Sequence, residues 1–349
     1  MVRREAWIDV VRGFALCLVV ALHVTAHTTA NGIPPRPIIT DVNLVLDGFR
    51  MPAIIMISAI LAAGIGSWPW REVARRRVAP LLLIYALWTV IDVTIRAVMS
   101  DSGFGSDDVA RIALMAFRPD QYTWYLYALA VYLVLARLTR RVPALVLIAI
   151  AVVVNIVVMT GLPYAHTVAN FEWWYYVGEH WVFFVAAQRF ALQYRALAAA
   201  ATPARAGAAL AVFATAGFVA VRLGIVTNPA VILLLSIAGT GFALLAAPLV
   251  AERRWLGWAR AVGSNSLGVY VIHSWMGAMV GLVLVSRVHW FHGASVVVPA
   301  TATLLTIAAS YWLTRLIQRA APVPLLRPWW STTGTPTRAR QSTVATPAQ

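Results

Sequence analysis

The stretch that decides the fold is WIDVVRGFALCLVVALHVTAH, Trp7 to His27. A helix needs about 20 mostly apolar residues to cross a bilayer, and this one is long enough. Yet it carries Asp9, Arg12, His23 and His27. An Arg or Asp at bilayer depth costs about 2.5–3.5 kcal/mol even on insertion scales, so the protein itself must compensate for it. His23 follows Arg12 by eleven residues. At about 100° and about 1.5 Å per residue, the two share nearly one azimuth roughly 16 Å apart along the axis. The expectation is a guanidinium and an imidazole on one wall of a shared cavity. Asp9, three residues before Arg12, is placed to pair with it. Two plainer readings compete. A cleaved leader would show a basic start, an apolar run and small residues, here near Thr25 to Ala30. Asp9 and Arg12 shorten its apolar part, and nine more apolar spans follow. The other is an anchoring helix with an interfacial Arg and a hydrogen-bonded His.

The composition supports the membrane reading. Of 349 residues 61% are hydrophobic and 12% charged, which separates the chain from soluble domains and places it among polytopic helical membrane proteins. The net charge is +15 and every one of the 28 basic residues is Arg. A basic balance can signal nucleic acid, but in this class its distribution between loops carries the meaning, and no nucleic-acid partner is expected. Without Lys there is no Schiff-base or pyridoxal chemistry. The single Cys17 forms no intrachain disulfide and no cysteine metal cluster. It lies about 140° round the helix from Arg12, off that residue's face.

Ten apolar spans can be drawn, roughly 8–28, 43–65, 80–99, 122–138, 143–161, 173–192, 206–224, 229–250, 262–285 and 295–317. With both termini in the cytoplasm, 21 of the 28 Arg fall inside, and the other seven lie outside with nine of the 13 acidic residues. That asymmetry predicts an all-α polytopic membrane protein of about ten transmembrane helices, both termini cytoplasmic, in the inner membrane of a bacterial cell. The transmembrane domain runs over 1–320. Residues 321–349, rich in Pro, Thr and Arg, read as a disordered cytoplasmic tail. In the longest outer loop, Asp107 to Phe117 predicts a short interfacial helix. Trp68, Trp70, Trp173, Trp174, Trp255, Trp258 and Trp290 stand at span ends as an aromatic belt. Gly277 and Gly281 form a small-residue packing pattern.

Further polar residues mark the spans. Asp47 and Arg50 stand at the outer mouth of span two, with Pro52 inside as an expected kink. Arg71, Arg75, Arg76 and Arg77 follow it at the cytoplasmic surface. They read equally as ordinary topology or as a phosphate patch, because guanidinium forks match phosphate oxygens. Span four opens with Gln121, Tyr122, Trp124, Tyr125 and Tyr127, a belt or a substrate-facing aromatic surface. Glu179 and His180 lie within span six, where an ionisable residue is a functional candidate by default. Ser266, Tyr270 and His273 at i, i+4 and i+7 share one face of span nine and suggest a cavity wall. His23 and His27, four apart, could chelate a metal, but no third ligand is identifiable and no metal is expected.

These residues resemble the membrane acyltransferase 3 family of polytopic O-acyltransferases. The resemblance rests on Asp9, Arg12, Gly13 and His23 in the first span. It continues through Phe49, Arg50, Met51, Pro52 and Ser58 in the second, then Arg75 to Arg77 and Pro80. Trp124, Tyr125 and Leu126 open the fourth span, and Ser266, Leu267, Tyr270 and His273 lie in the ninth. Two departures are Ala59, where a Gly commonly follows the Ser, and a contiguous Arg triplet in place of the spaced pair. A related group of transmembrane N-acetyltransferases also opens on Arg-Gly but typically has Asn at the position of His23.

The resemblance implies transfer of an acyl group, often acetyl, from cytoplasmic acyl-CoA to a hydroxyl of a glycan, lipid-linked sugar or exported small molecule. His23 would be the base, with Arg12 oriented by Asp9 as the stabilising cation. Arg71, Arg75, Arg76 and Arg77 would hold CoA phosphates. Arg50, Trp124, Tyr125, Glu179, Ser266, Tyr270 and His273 would face the substrate. The alternative from another class is a transporter or flippase for a sugar or lipid-linked substrate, whose polar residues line a path. No inverted repeat supports it.

Overall fold

The computed structural model describes residues 5–99, 103–119, 122–161, 172–288 and 294–320. The expected tail, 321–349, lies outside them, as does Gln121. Among the described residues the chain is helical and contains no strand. In chain order the helices are α1 (Ala6–Ala30), α2 (Pro37–Leu61), α3 (Trp70–Val73), α4 (Ala79–Met99), α5 (Ser106–Leu114), α6 (Trp124–Leu138) and α7 (Ala144–Gly161). They continue as α8 (Glu172–Arg189), α9 (Ala191–Ala199), α10 (Pro203–Arg222), α11 (Pro229–Val250), α12 (Gly257–Ser264), α13 (Ser266–Val288) and α14 (Ala294–Ala320). A π-helical turn, Ala74–Val78, fuses α3 to α4.

Helix ends follow local chemistry. Proline opens α2, α10 and α11, where its missing N–H costs nothing. The Thr202 hydroxyl accepts from the Arg205 N–H, and Asn228 Oδ1 accepts from the Ala230 N–H, capping two of these starts. α5 is the expected outer-loop helix, ending at Leu114 rather than Phe117.

Seven helical stretches among the described residues are long and apolar enough to cross a membrane: 6–30, 37–61, 70–98, 203–222, 229–250, 266–285 and 295–320. Helices also stand at the other three expected spans. However, Trp124–Leu138 and Ala144–Thr160 are shorter. α8 carries Glu172, Glu179 and Arg189 within its 18 residues. The expected ninth span, 262–285, is broken at its start. The Asn265 Nδ2 donates to the Ala261 carbonyl and Ser264 Oγ donates to the same oxygen. These short side chains compete with the helical ladder, ending α12 so that α13 begins afresh at Ser266.

α1 is the centre of the assembly and packs on α2, α11, α12, α13 and α14. Its closest neighbour is α12. A Cβ on Gly13 would overlap the Ala259 carbonyl oxygen, and one on Gly263 would overlap the Asp9 carbonyl oxygen. Only glycine permits two backbones to meet at this distance. Gly277 and Gly281 do the same work more loosely, placing α13 against Val24, His27 and Thr28 of α1. Polar and charged α1 residues are thereby held inside protein. Asp9 is 6% and Arg12 2% exposed.

Candidate active site

The Arg12 guanidinium reaches a small cavity between α1, α2, α4, α6 and α13, whose polar wall is Arg12, Tyr125, Ser266 and Tyr270. Its volume is about 30 Å³, room for roughly two waters. Leu16, Ile54, Leu81, Leu126, Leu129 and Leu267 complete the lining and make it otherwise apolar. Around it the polar groups are tied together. Tyr125 Oη and Ser58 Oγ hydrogen-bond at 2.7 Å, and the Tyr125 backbone N–H donates to Tyr270 Oη at 3.3 Å. The Tyr125 and Tyr270 rings meet edge to face at 5.4 Å. Four elements far apart in sequence therefore converge on the guanidinium.

His23 does not line this cavity. The expected shared wall is interrupted because α13 inserts two side chains alongside α1. Tyr270 lines the cavity and its ring lies 5.7 Å from that of His273, which lies 5.2 Å from that of His23. His273 is 1% exposed and its Nδ1 is bonded to the Tyr270 carbonyl. A carbonyl oxygen only accepts, so Nδ1 carries the proton and Nε2 the lone pair. That Nε2 is buried with no hydrogen-bond partner among the described residues. Arg12, Tyr270, His273 and His23 form a continuous series, with a cation at one end and two imidazoles at the other.

A second polar group flanks the imidazoles and was not anticipated. Asp92 and Arg96 of α4 form an ion pair at 2.7 Å, Arg96 donates to Ser274 Oγ at 2.8 Å, and the Arg96 guanidinium sits 3.9 Å over the Tyr122 ring. Tyr122 in turn neighbours His23, ring to ring at 5.5 Å, and stacks on His27 at 6.4 Å. The signal was available: an Asp and an Arg four residues apart inside an apolar span are ionisable residues at membrane depth. Among the described residues no three His, Cys, Asp or Glu side chains gather as a metal site.

The remaining expected site residues lie elsewhere. Arg50 is buried but engaged on its own helix, donating to Asp47 at 2.9 Å and to Asn43 at 3.1 Å. Glu179 is bonded through its backbone carbonyl to Asn155, and its carboxylate lies 3.5 Å from His180 Nδ1. His180 and Tyr176 surround Trp124, with ring separations of 5.5 and 5.4 Å. Arg71, Arg75 and Arg76 are exposed, and Arg76 faces Glu72 at 3.9 Å. Arg77 turns inward, 6% exposed, with its guanidinium 4.7 Å over the Trp68 ring. The π-helical turn is what splits the triplet between inside and outside.

A family model described as an acyltransferase domain matches residues 5–315. The chain belongs to this acyltransferase family. Among curated proteins the acyltransferase is similar to the inner membrane protein YcfT of Escherichia coli (strain K12), at 27% identity over 179 residues. That alignment covers 45% of this chain and half the length of the relative. No solved structure matches the acyltransferase. The match from Glu5 to Arg315 takes in the described helices from α1 to α14, so the buried charges of α1 and the imidazole of α13 belong to one family domain. The chain thus combines membership of an acyltransferase family with seven helices, among the described residues, long and apolar enough to cross a membrane.

Proposed function

We propose that this chain is an O-acyltransferase that moves an acyl group, acetyl in the first instance, from cytoplasmic acyl-CoA to a hydroxyl of a glycan, lipid-linked sugar or exported metabolite across a bacterial inner membrane. The observation that carries the reading is the series Arg12–Tyr270–His273–His23 inside an otherwise apolar bundle. Acyl transfer to an alcohol needs a base active near neutral pH, and imidazole is the side chain suited to it. It also needs the donor held in place, and Arg12, a buried cation in an otherwise apolar cavity, is suited to hold it.

In this mechanism His23 removes the proton from the acceptor hydroxyl as its oxygen attacks the thioester carbonyl. Arg12, set apart from His23 by Tyr270 and His273, positions the donor, with Asp9 orienting it. The carbon–sulfur bond then breaks, an ester forms on the acceptor, and the CoA thiolate leaves with the proton returned by imidazolium. The cavity of about 30 Å³ does not admit an acyl group, so entry requires its lining side chains to part. Tyr125, Ser266 and Tyr270 then face the acyl group, while Arg71, Arg75 and Arg76 stand at the cytoplasmic surface where the donor arrives.

The test is turnover of radiolabelled acetyl-CoA by purified protein in nanodiscs, with and without candidate glycans. Free CoA and labelled ester are expected from the unaltered protein and neither from His23→Ala, with both proteins equally inserted. Full activity of His23→Ala removes that residue from the mechanism. Movement of a sugar across vesicles without CoA release replaces the enzyme by a transporter.

A further inference from the structure

A polar pocket of about 510 Å³ opens where α6 and α8 end against the turn Ala63–Ser67. Its walls include Ser67, Arg140, Arg141, Gln188 and Arg189. The pocket is constructed rather than incidental. The two Nη groups of Arg189 donate to the backbone carbonyls of Thr139, at 2.5 Å, and Arg140, at 3.3 Å, which ties the α6–α7 turn to α8. Gln188 donates to the Ala63 carbonyl at 3.3 Å and closes the opposite wall. Arg189 Nε is buried without a hydrogen-bond partner among the described residues. Nor does any described carboxylate come within ion-pair distance of Arg140, Arg141 or Arg189. Three guanidinium groups around one opening repel one another, and an anion is what relieves the repulsion.

We propose that this pocket is a phosphate-binding site and that its occupant is the diphosphate end of the acyl donor. The assignment of the occupant rests on the acyl-CoA reading above. Two relationships favour a donor over a surface ion. Guanidinium forks match the paired oxygens of phosphates, and three of them suit a ligand with more than one phosphate. One helix, α6, also lines both this pocket and the Arg12 cavity. Leu129 of α6 lines the cavity, and Ala136, seven residues on, lines the pocket. Seven residues return to nearly the same azimuth about 10 Å further along the axis. A long ligand with phosphates at one end and a thioester at the other would follow that face. Arg71, Arg75 and Arg76, by contrast, do not line this pocket, and Arg77 is covered by Trp68.

The experiment measures CoA binding to the full-length protein in phosphatidylcholine nanodiscs, with inorganic pyrophosphate as competitor and a parallel set containing phosphatidylglycerol. Arg140→Gln with Arg141→Gln removes two exposed cations, and elution profile and thermal midpoint check that the fold survives. Loss of two charge-assisted contacts is expected to weaken CoA binding by about ten- to a hundredfold, pyrophosphate to compete only in the unaltered protein, and the paired Lys variant to retain most of the affinity. Unchanged CoA affinity in the Gln variant overturns the pocket assignment and leaves the acyl-CoA reading standing. Pyrophosphate binding with no CoA binding by the unaltered protein removes the donor, and with it this occupant. If the Gln variant binds CoA normally but no longer retains phosphatidylglycerol, the pocket belongs to a lipid headgroup and the proposal fails.

Discussion

The imidazole rings of His23 and His273 lie 5.2 Å apart, one on the first helix and one on the last but one. The Tyr270 carbonyl fixes the His273 tautomer, leaving its Nε2 as a lone pair in a buried setting. Two imidazoles this close disfavour each other's charging, so the pair should act as a unit. Replacing His23 with Ala is expected to cost about 10²–10⁴ in kcat, the usual worth of a positioned base. His273→Gln should also lower kcat while leaving donor KM near its original value. The double variant should be no slower than the worse single one, since residues that act together are not additive. Steady-state kinetics of the three variants decide this, and simple multiplication of the two losses would show that the rings act independently.

The Gly13–Gly263 contact yields a stability prediction. A Cβ on Gly13 meets the backbone of Ala259 rather than the end of a flexible side chain, so α1 and α12 must separate. Gly13→Ala should cost about 1–3 kcal/mol, as overpacked interiors do, and should lower activity because Arg12 is the preceding residue. Gly207→Ala is the control. Its Cβ would meet nothing within 4 Å, and alanine is the better helix former. Thermal unfolding in detergent should show a clear drop for the first variant and none for the second.

The Asp92–Arg96 pair predicts an asymmetry between breaking and removing. Asp92 is 3% exposed, and Arg96 links it to Ser274 of α13 and to Tyr122. Arg96→Ala leaves the carboxylate buried without its guanidinium, an error that costs about 3–5 kcal/mol. Arg96→Leu combined with Asp92→Leu removes both charges and should recover much of that loss. Thermal midpoints of the single and double variants measure the difference. A double variant no more stable than Arg96→Ala would show that the pair is not what holds α4 to α13.

Much of this was legible in the sequence, and the gaps have physical reasons. The length and buried charge of Trp7–His27 and the small residues Gly277 and Gly281 were legible because helical periodicity is local information, whereas of the expected wall Ser266 and Tyr270 line the Arg12 cavity and His273 does not. The insertion of Tyr270 and His273 between Arg12 and His23 was not legible, since it depends on which helix packs against α1. The break at Asn265 was missed because an apolar window averages over one Ser-Asn step. Arg96 and its partner Asp92, four residues earlier, lay inside the span drawn over 80–99 and were not singled out. Arg140, Arg141 and Arg189 were hidden for another reason. Cytoplasmic loops carry Arg for topology alone, and only the pocket distinguishes a site from that background.

The Tyr125–Ser58 hydrogen bond tests what the cavity wall contributes. Ser58 is fully buried, and its hydroxyl bonds the Tyr125 hydroxyl at 2.7 Å. Tyr125→Phe orphans the Ser58 hydroxyl, which should cost about 1–3 kcal/mol, whereas Tyr125→Phe with Ser58→Ala removes both partners and should be nearly neutral. Activity separates structure from chemistry. If the Tyr125 hydroxyl serves only to fasten α6 to α2, the double variant should turn over like the unaltered protein. Because Tyr125 lines the Arg12 cavity while Ser58 does not, the expectation is instead that Ser58→Ala keeps most activity and the double variant stays slow despite its recovered stability. Acetyl-CoA turnover set against thermal midpoint for the three proteins distinguishes the outcomes, and full activity in the double variant would confine Tyr125 to a structural part.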